Sequence, residues 1–235
     1  MAQPRVLMVL TSNDKFGFHG GETGVWLEEF AAPVYMLAEA GLKIGIATIK
    51  GGPPPIDPNS LKDDAMTDAT RRFQQDEAMR AVLAEAPKLA SVGALDYDAV
   101  FLPGGHGTMW DFPTAPELTV MLEQFALREK PIAAVCHGPA ALAPVMDRRG
   151  RPLVEGKTVS VFTDAEEEAV GLAGVIPFSL EKKMRALGAE IAMAEPFQPR
   201  VSVDGNLITG QNPASSVGAA EAMVSMLRDA AVDAA

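Results

Sequence analysis

Short aliphatic or β-branched runs alternate with longer amphipathic stretches along the whole chain, and this alternation restricts the fold more than any other feature. Residues 5–11 (RVLMVLT) read as a buried strand, 22–40 as a helix and 42–48 (LKIGIAT) as the next strand. Residues 99–102 form another short apolar run, 113–128 a helix, 131–135 (PIAAV) a central strand and 138–146 the helix that follows it. Later strands are expected at 158–162, 190–194, 200–203 and 207–210, with a closing helix at 213–231. Strands alternating with helices of this length predict an α/β fold whose mostly parallel sheet is covered on both faces.

Residues 51–64 (GGPPPIDPNSLKDD) break the rhythm, because their prolines and glycines exclude regular structure. A polar helical stretch near 68–90 follows. We read about 51–90 as an insertion packed on a single domain spanning 1–235, over the site or beside it, not as a linker. The net charge of −11 comes with no basic stripe, so no nucleic-acid partner is expected. No apolar run approaches the roughly 18 residues of a membrane span, and the first ten residues lack the apolar core and cleavage site of a signal peptide. One cysteine excludes an intramolecular disulfide. A lone thiol that stays reduced suits the cytoplasm.

That cysteine lies in Ala133-Ala134-Val135-Cys136-His137-Gly138-Pro139, where an apolar strand runs directly into a predicted helix. Such a strand-to-helix turn resembles a nucleophile elbow. It lifts the thiol to the carboxyl edge of the sheet, where open α/β folds bind ligands. A helix N-terminus nearby favours the thiolate, so a depressed Cys136 pKa is expected. The plainer alternative is a small buried hydrophobe. His137, next in sequence, either partners the thiol or sits exposed at the helix start. The histidines at 19, 106 and 137 are widely separated and show no metal-ligand spacing, so no metal is expected.

Pro103-Gly104-Gly105-His106-Gly107 follows a strand. Its amides could form half of an oxyanion hole, with Gly105 as donor and the His137 amide as the other half, or they could simply make a tight turn. In the first helix Glu29 falls four residues after Val25 and four before Pro33, which turns it inward; Glu28 aligns with Tyr35 and Glu39 on an expected solvent face. A carboxylate on a buried face needs a partner or a raised pKa, and a raised pKa beside a thiol suits proton transfer. A charged rim residue is the duller reading of Glu29. Asp164 is a plausible N-cap for the helix holding Glu166, Glu167 and Glu168. One of the three glutamates could orient His137, but spacing does not choose which.

Taken together and in order, these motifs resemble the DJ-1/PfpI superfamily of class I glutamine amidotransferase-like proteins, and within it the Hsp31-like glyoxalase III branch. The similarity runs from Thr11-Ser12 through Glu22-Thr23-Gly24-Val25, Glu29, Pro33, Gly104 to Thr108, Ala133 to Pro139, Glu155-Gly156-Lys157 and Phe162-Thr163-Asp164 to the stretch from Asp204 to Ser215. It covers essentially the whole chain. The resemblance implies a flavodoxin-like sheet, Cys136 as nucleophile, His137 as its partner, Glu29 as the acidic proton shuttle and Glu167 as the orienting acid. The run of three acids makes that last assignment a departure from the pattern. It also implies a homodimer with no cofactor, and a glutathione-independent conversion of methylglyoxal or glyoxal to a hydroxy acid. Protein deglycation, another cysteine hydrolysis, and a stress chaperone or oxidation sensor are the alternatives it leaves.

Overall fold

In the computed structural model, residues 3–233 are described. In chain order they form β1 (Arg5–Leu10), α1 (Leu27–Glu39), β2 (Lys43–Thr48), α2 (Asp68–Gln75), α3 (Glu77–Ala84), β3 (Ala99–Leu102), α4 (Thr108–Asp111), α5 (Pro116–Leu127) and β4 (Ile132–Val135). β5 (Thr158–Val159), α6 (Asp164–Ala169), α7 (Leu180–Ala186), β6 (Glu190–Ile191), β7 (Val201–Asp204), β8 (Leu207–Gly210) and α8 (Ser216–Asp233) complete it. The six-stranded sheet runs β2-β1-β3-β4-β8-β7, parallel except for the β7–β8 pair at one edge. β5 and β6 pair separately.

Both faces of this sheet are covered, which is why its central strands are apolar at every position and not at alternate ones. Val6, Met8 and Leu10 of β1 pack with Phe30, Val34 and Met223 of α1 and α8. Leu7 and Val9 point the other way, into a core with Leu118, Leu122 and Phe125 of α5. The period of two thus sorts one strand between two cores. With the sheet centre so covered, the loops at the carboxyl ends of β1, β3 and β4 gather at one edge.

Several boundaries differ from the sequence expectation. α1 begins at Leu27, not 22, because residues before it are extended: Val25 donates to Pro55 O at 2.8 Å and pairs with Ile56. The stretch 68–90 is two helices, broken at Asp76, which caps α3 by accepting from Met79 N. Residues 138–146 hold only a five-residue 3-10 turn, Gly138–Leu142, not an α-helix. The expected strands at 158–162 and 190–194 shrink to two residues each. α5 starts at Pro116 and α8 at Ser216, each behind a short 3-10 turn.

Glu28 does not lie on a solvent face. α2 and the loops flanking it lie across that side of α1: Thr67 Oγ1 donates to Glu28, Tyr35 OH donates to Asp76 at 3.0 Å, and Arg72 stacks over the Tyr35 ring. Helical spacing grouped Glu28 with Tyr35 on one side of α1 but could not see that other segments cover it.

The seat of residues 51–57 against the extended segment before α1 depends on Gly24. A Cβ there would stand 2.2 Å from the Pro55 carbonyl oxygen. Gly24→Ala should therefore destabilise by about 1–3 kcal/mol, the usual cost of overpacking. Gly174→Ala is the control, since nothing lies within 4 Å of its Cβ position; it should stay within about 0.5 kcal/mol. Urea unfolding midpoints measure both, and equal midpoints would mean that the 51–57 segment does not seat this way.

Candidate active site

β4 delivers Cys136 at its carboxyl end, and there the backbone turns left-handed, φ 58°. Left-handed backbone costs a non-glycine residue about 1–3 kcal/mol unless its surroundings hold it. Two bonds do so: Cys136 N donates to Gly210 O at 2.8 Å, and Cys136 O accepts from Phe162 N at 3.0 Å. The turn is a nucleophile elbow in shape, and it brings the sulfur within 3.1 Å of His137 Nδ1.

Behind His137 lies Glu167. His137 Nε2 donates to Glu167 Oε1 at 2.5 Å, and His106 Nε2 donates to Glu167 Oε2 at 3.0 Å. Burial alone would raise Glu167, but the two histidine hydrogen bonds outweigh it and hold the carboxyl at about 2. A carboxylate can only accept, so both Nε2 atoms carry protons. Nδ1 of His137 is left as an acceptor towards the thiol. Burial and then His106 push His137 down to about 4, against the pull of Glu167, so its imidazole is neutral at physiological pH and can act as a base.

On the other side of the sulfur stands Glu29, from the first turn of α1. It is wholly buried. Its Oε2 accepts from Gly104 N at 2.6 Å, while its Oε1 is the one buried side-chain oxygen among the described residues with no hydrogen-bond partner. Only glycine fits at 104: a Cβ would stand 2.7 Å from His137 N and 2.9 Å from Glu29 Oε2. Burial raises Glu29 to about 8, against the lowering influence of Cys136 and the Gly104 amide.

The expected depression of the Cys136 pKa is not met. Burial, followed by the charge on Glu29, raises the thiol above its ordinary value. The helix dipole invoked for the opposite shift has no helix behind it, only the Gly138–Leu142 turn. Thiol and carboxyl instead titrate as a coupled pair: near neutrality both hold their protons, and the first to leave as pH rises leaves from Glu29, about pH 8.

Gly105 takes φ 94°, and a Cβ on it would meet Gly24 O at 2.2 Å. Its amide faces the Cys136 sulfur and opposes the rise of the thiol pKa. Neither the Gly105 nor the His137 amide donates to a carbonyl among the described residues. Both are available for a developing oxyanion.

A DJ-1/PfpI family profile matches residues 22–226. The chain belongs to the DJ-1/PfpI family. Among curated relatives, the "Glutathione-independent glyoxalase HSP31" of Saccharomyces cerevisiae is 32% identical over 97% of this chain and 100% of its own. A "Protein/nucleic acid deglycase HchA" of Pseudomonas aeruginosa is 28% identical over 90% of this chain and 77% of its own. Among solved structures, the glyoxalase III of Candida albicans superposes with a TM-score of 0.88 at 28% identity, covering 94% of this chain and 96% of that one.

For this DJ-1/PfpI chain the sequence-based candidates Cys136, His137, Glu29, Glu167 and Gly105 all meet at one edge of the sheet. The three acids of α6 separate cleanly. Glu167 faces the histidines, Glu168 is exposed, and Glu166 is buried in a clamp that accepts from Thr163 N, Phe197 N, Gln211 Nε2 and Asn212 Nδ2. The N-cap is Thr163, in a capping box with Glu166, not Asp164.

The sequence reading missed the structural roles of two residues. One is Glu166, whose signal was its place three residues after Thr163. The other is His106, whose ring centroid lies 4.1 Å from that of His137 although 31 positions separate them. Donor atoms of His106, His137 and Glu167 lie within 4.8 Å of one another. The nitrogens that would face a cation there are the protonated ones that bond Glu167, so the cluster is a hydrogen-bonded chain.

Glu29→Gln tests the coupled pair. Removing the carboxylate charge should lower the Cys136 pKa, moving the pH profile of iodoacetamide alkylation to lower pH. A profile that stayed in place or moved up would contradict the coupling. Stability should respond too. The folded state holds the Glu29 proton more tightly than the unfolded chain, so its ionisation costs nothing below about 4.5, costs more as pH rises, and costs fully above about 8. The Tm gain of Glu29→Gln over wild type should therefore grow between those pH values.

Proposed function

We propose that this protein is a glutathione-independent glyoxalase, converting methylglyoxal or glyoxal to the corresponding hydroxy acid. One observation carries the reading: a fully buried carboxyl, raised to about 8 and with one oxygen unpaired, sits beside a buried thiol. General acid–base groups work best with a pKa near the operating pH. The naming of the yeast relative supports the same reading.

The steps balance without an external oxidant. In its ionised form, a minority below about pH 8, Glu29 takes the Cys136 proton, and the thiolate attacks the aldehyde carbon. The same proton passes from Glu29 to the new alkoxide, giving a hemithioacetal, while the Gly105 and His137 amides stabilise the negative charge as it forms. Glu29, again a carboxylate, removes the proton from the former aldehyde carbon to leave an enediolate; the hydroxyl proton on that carbon's oxygen moves to the neighbouring oxygen, and Glu29 returns its proton to the neighbouring carbon. The first carbon has been oxidised to a thioester and the second reduced to an alcohol. Water, activated at His137 Nδ1, hydrolyses the thioester, and the proton goes back to sulfur. Nothing in this sequence calls for a cofactor.

The site suits a small substrate. Cys136 is only 3% exposed, and Phe16 and Phe162 pack on the His106 ring with Phe197 beyond Phe162. A glycated protein side chain would need these aromatic rings to part, although the name of the Pseudomonas relative keeps deglycation as the second reading. A thiol this buried, with a raised pKa, is poorly placed as an oxidation sensor. Homodimer formation, resting on the family resemblance, and residence in the cytoplasm, resting on the lone reduced thiol, complete the proposal; among the described residues no helix is long and apolar enough to cross a membrane.

Purified protein should form lactate from methylglyoxal in the absence of glutathione. Cys136→Ser should abolish it, and Glu29→Gln should lower kcat by about 100-fold or more while the fold is retained. Release of an intact amine from a glycated peptide, with no lactate from free methylglyoxal, would favour the deglycase reading instead.

A further inference from the structure

We infer that His106 is a positioning residue for the thiol chemistry, extending the Cys136–His137–Glu167 chain by one member. The inference rests on the catalytic reading of Cys136 above. Orienting one imidazole takes only one carboxylate oxygen, yet Glu167 is bonded at both, by His137 at Oε1 and His106 at Oε2. A carboxylate held at one oxygen can swing about its terminal torsion; donors on both oxygens fix its plane. His137 is thereby presented to the sulfur in one orientation and one tautomer.

A merely structural role explains His106 less well. Its ring lies among Phe16, Phe162 and His137, at centroid distances of 5.8, 5.9 and 4.1 Å. An apolar ring would fill that place without the cost of burying a polar one. Its only side-chain hydrogen bond among the described residues is the one to Glu167. The turn that carries it is itself pinned, with Thr108 Oγ1 donating to Gly105 O at 2.8 Å and Met109 N to His106 O at 3.0 Å. The imidazole is therefore delivered by a fixed backbone to the one oxygen that His137 leaves unused.

The test compares two substitutions. His106→Phe keeps the aromatic packing and loses the donor; His106→Gln loses the ring and keeps an Nε2 donor of similar reach. Turnover of methylglyoxal and the rate of Cys136 alkylation by iodoacetamide at pH 7 are measured for both, with Tm as a check on folding. His106→Phe should lower kcat about ten-fold or more with KM within about two-fold, a loss confined to the reacting state, and should slow alkylation. His106→Gln should recover most of both. Should His106→Phe fail to fold, His106→Leu takes its place. Phenylalanine matching wild type, or glutamine failing as badly as phenylalanine in a folded protein, would overturn the inference. Alkylation depends on the thiol and His137, not on aldehyde conversion. A wild type without lactate production but with the expected alkylation order would therefore refute the glyoxalase reading and leave the role of His106 standing.

Discussion

A carboxyl group wholly removed from water lies where three crossings of the chain meet, and the site is arranged around it. Glu29 comes from α1, Gly104 from the end of β3 and Cys136 from the end of β4. The Gly104 amide bonds one oxygen of Glu29, and the other oxygen has no hydrogen-bond partner among the described residues. A buried polar atom without a partner costs free energy that ordinary packing would remove. Its persistence here is what couples the fold to the chemistry. Burial holds the proton on Glu29 up to about pH 8, and the remaining charge holds the proton on sulfur. In the proposed reaction neither group acts by itself; the pair becomes reactive when an electrophile arrives and the proton has a third place to go.

The cost of this arrangement is met locally. Cys136 in left-handed backbone is tied to Gly210 and Phe162, and the segment reaching Phe162 continues into the Thr163–Glu166 cap. Glu166, fully buried, collects hydrogen bonds from Thr163, Gln211, Asn212 and the Phe197 amide, joining the start of α6 to the loops after β6 and β8. Its neighbour Glu167 then projects toward the histidines and Glu168 toward water, as successive residues on a helix must, about 100° apart. Three identical side chains in a row thus take three different roles because the helix turns, and the cap decides where the turning starts.

That division explains what could be seen in the sequence. Periodicity along α1 turned Glu29 inward, and an apolar strand ending in Cys-His-Gly placed the thiol at a sheet edge; both depend only on local spacing. The same periodicity misjudged Glu28, since the Thr67 that bonds it lies 39 positions away, in the segment between β2 and β3. His106 was equally hidden: a histidine in a glycine-rich turn carries no mark of the carboxylate 61 positions later. The thiol pKa was misread for a related reason. A helix was inferred after Cys136 from the alternation of strands and helices, whereas Pro139 and the crowded small residues settle into a short 3-10 turn, and the dominant charge came from a different element altogether.

Electrostatics follows the same rule as register. Local pattern says which side chains turn inward, but their ionisation depends on which inward-facing groups the topology brings together. In this sheet β1, β3 and β4 are neighbours, so the segments at their carboxyl ends bring one acid and one thiol into a single buried space. Beyond them stand two imidazoles and a second acid, arranged in the opposite sense. There the hydrogen bonds of His106 and His137 keep Glu167 charged, whereas Glu29, with one amide and no imidazole, is kept protonated. Two buried glutamates thus stand at about 8 and about 2, because burial dominates at Glu29 whereas imidazole donors at both oxygens outweigh it at Glu167. In the proposed reaction that asymmetry lets one acid orient the base while the other carries the proton.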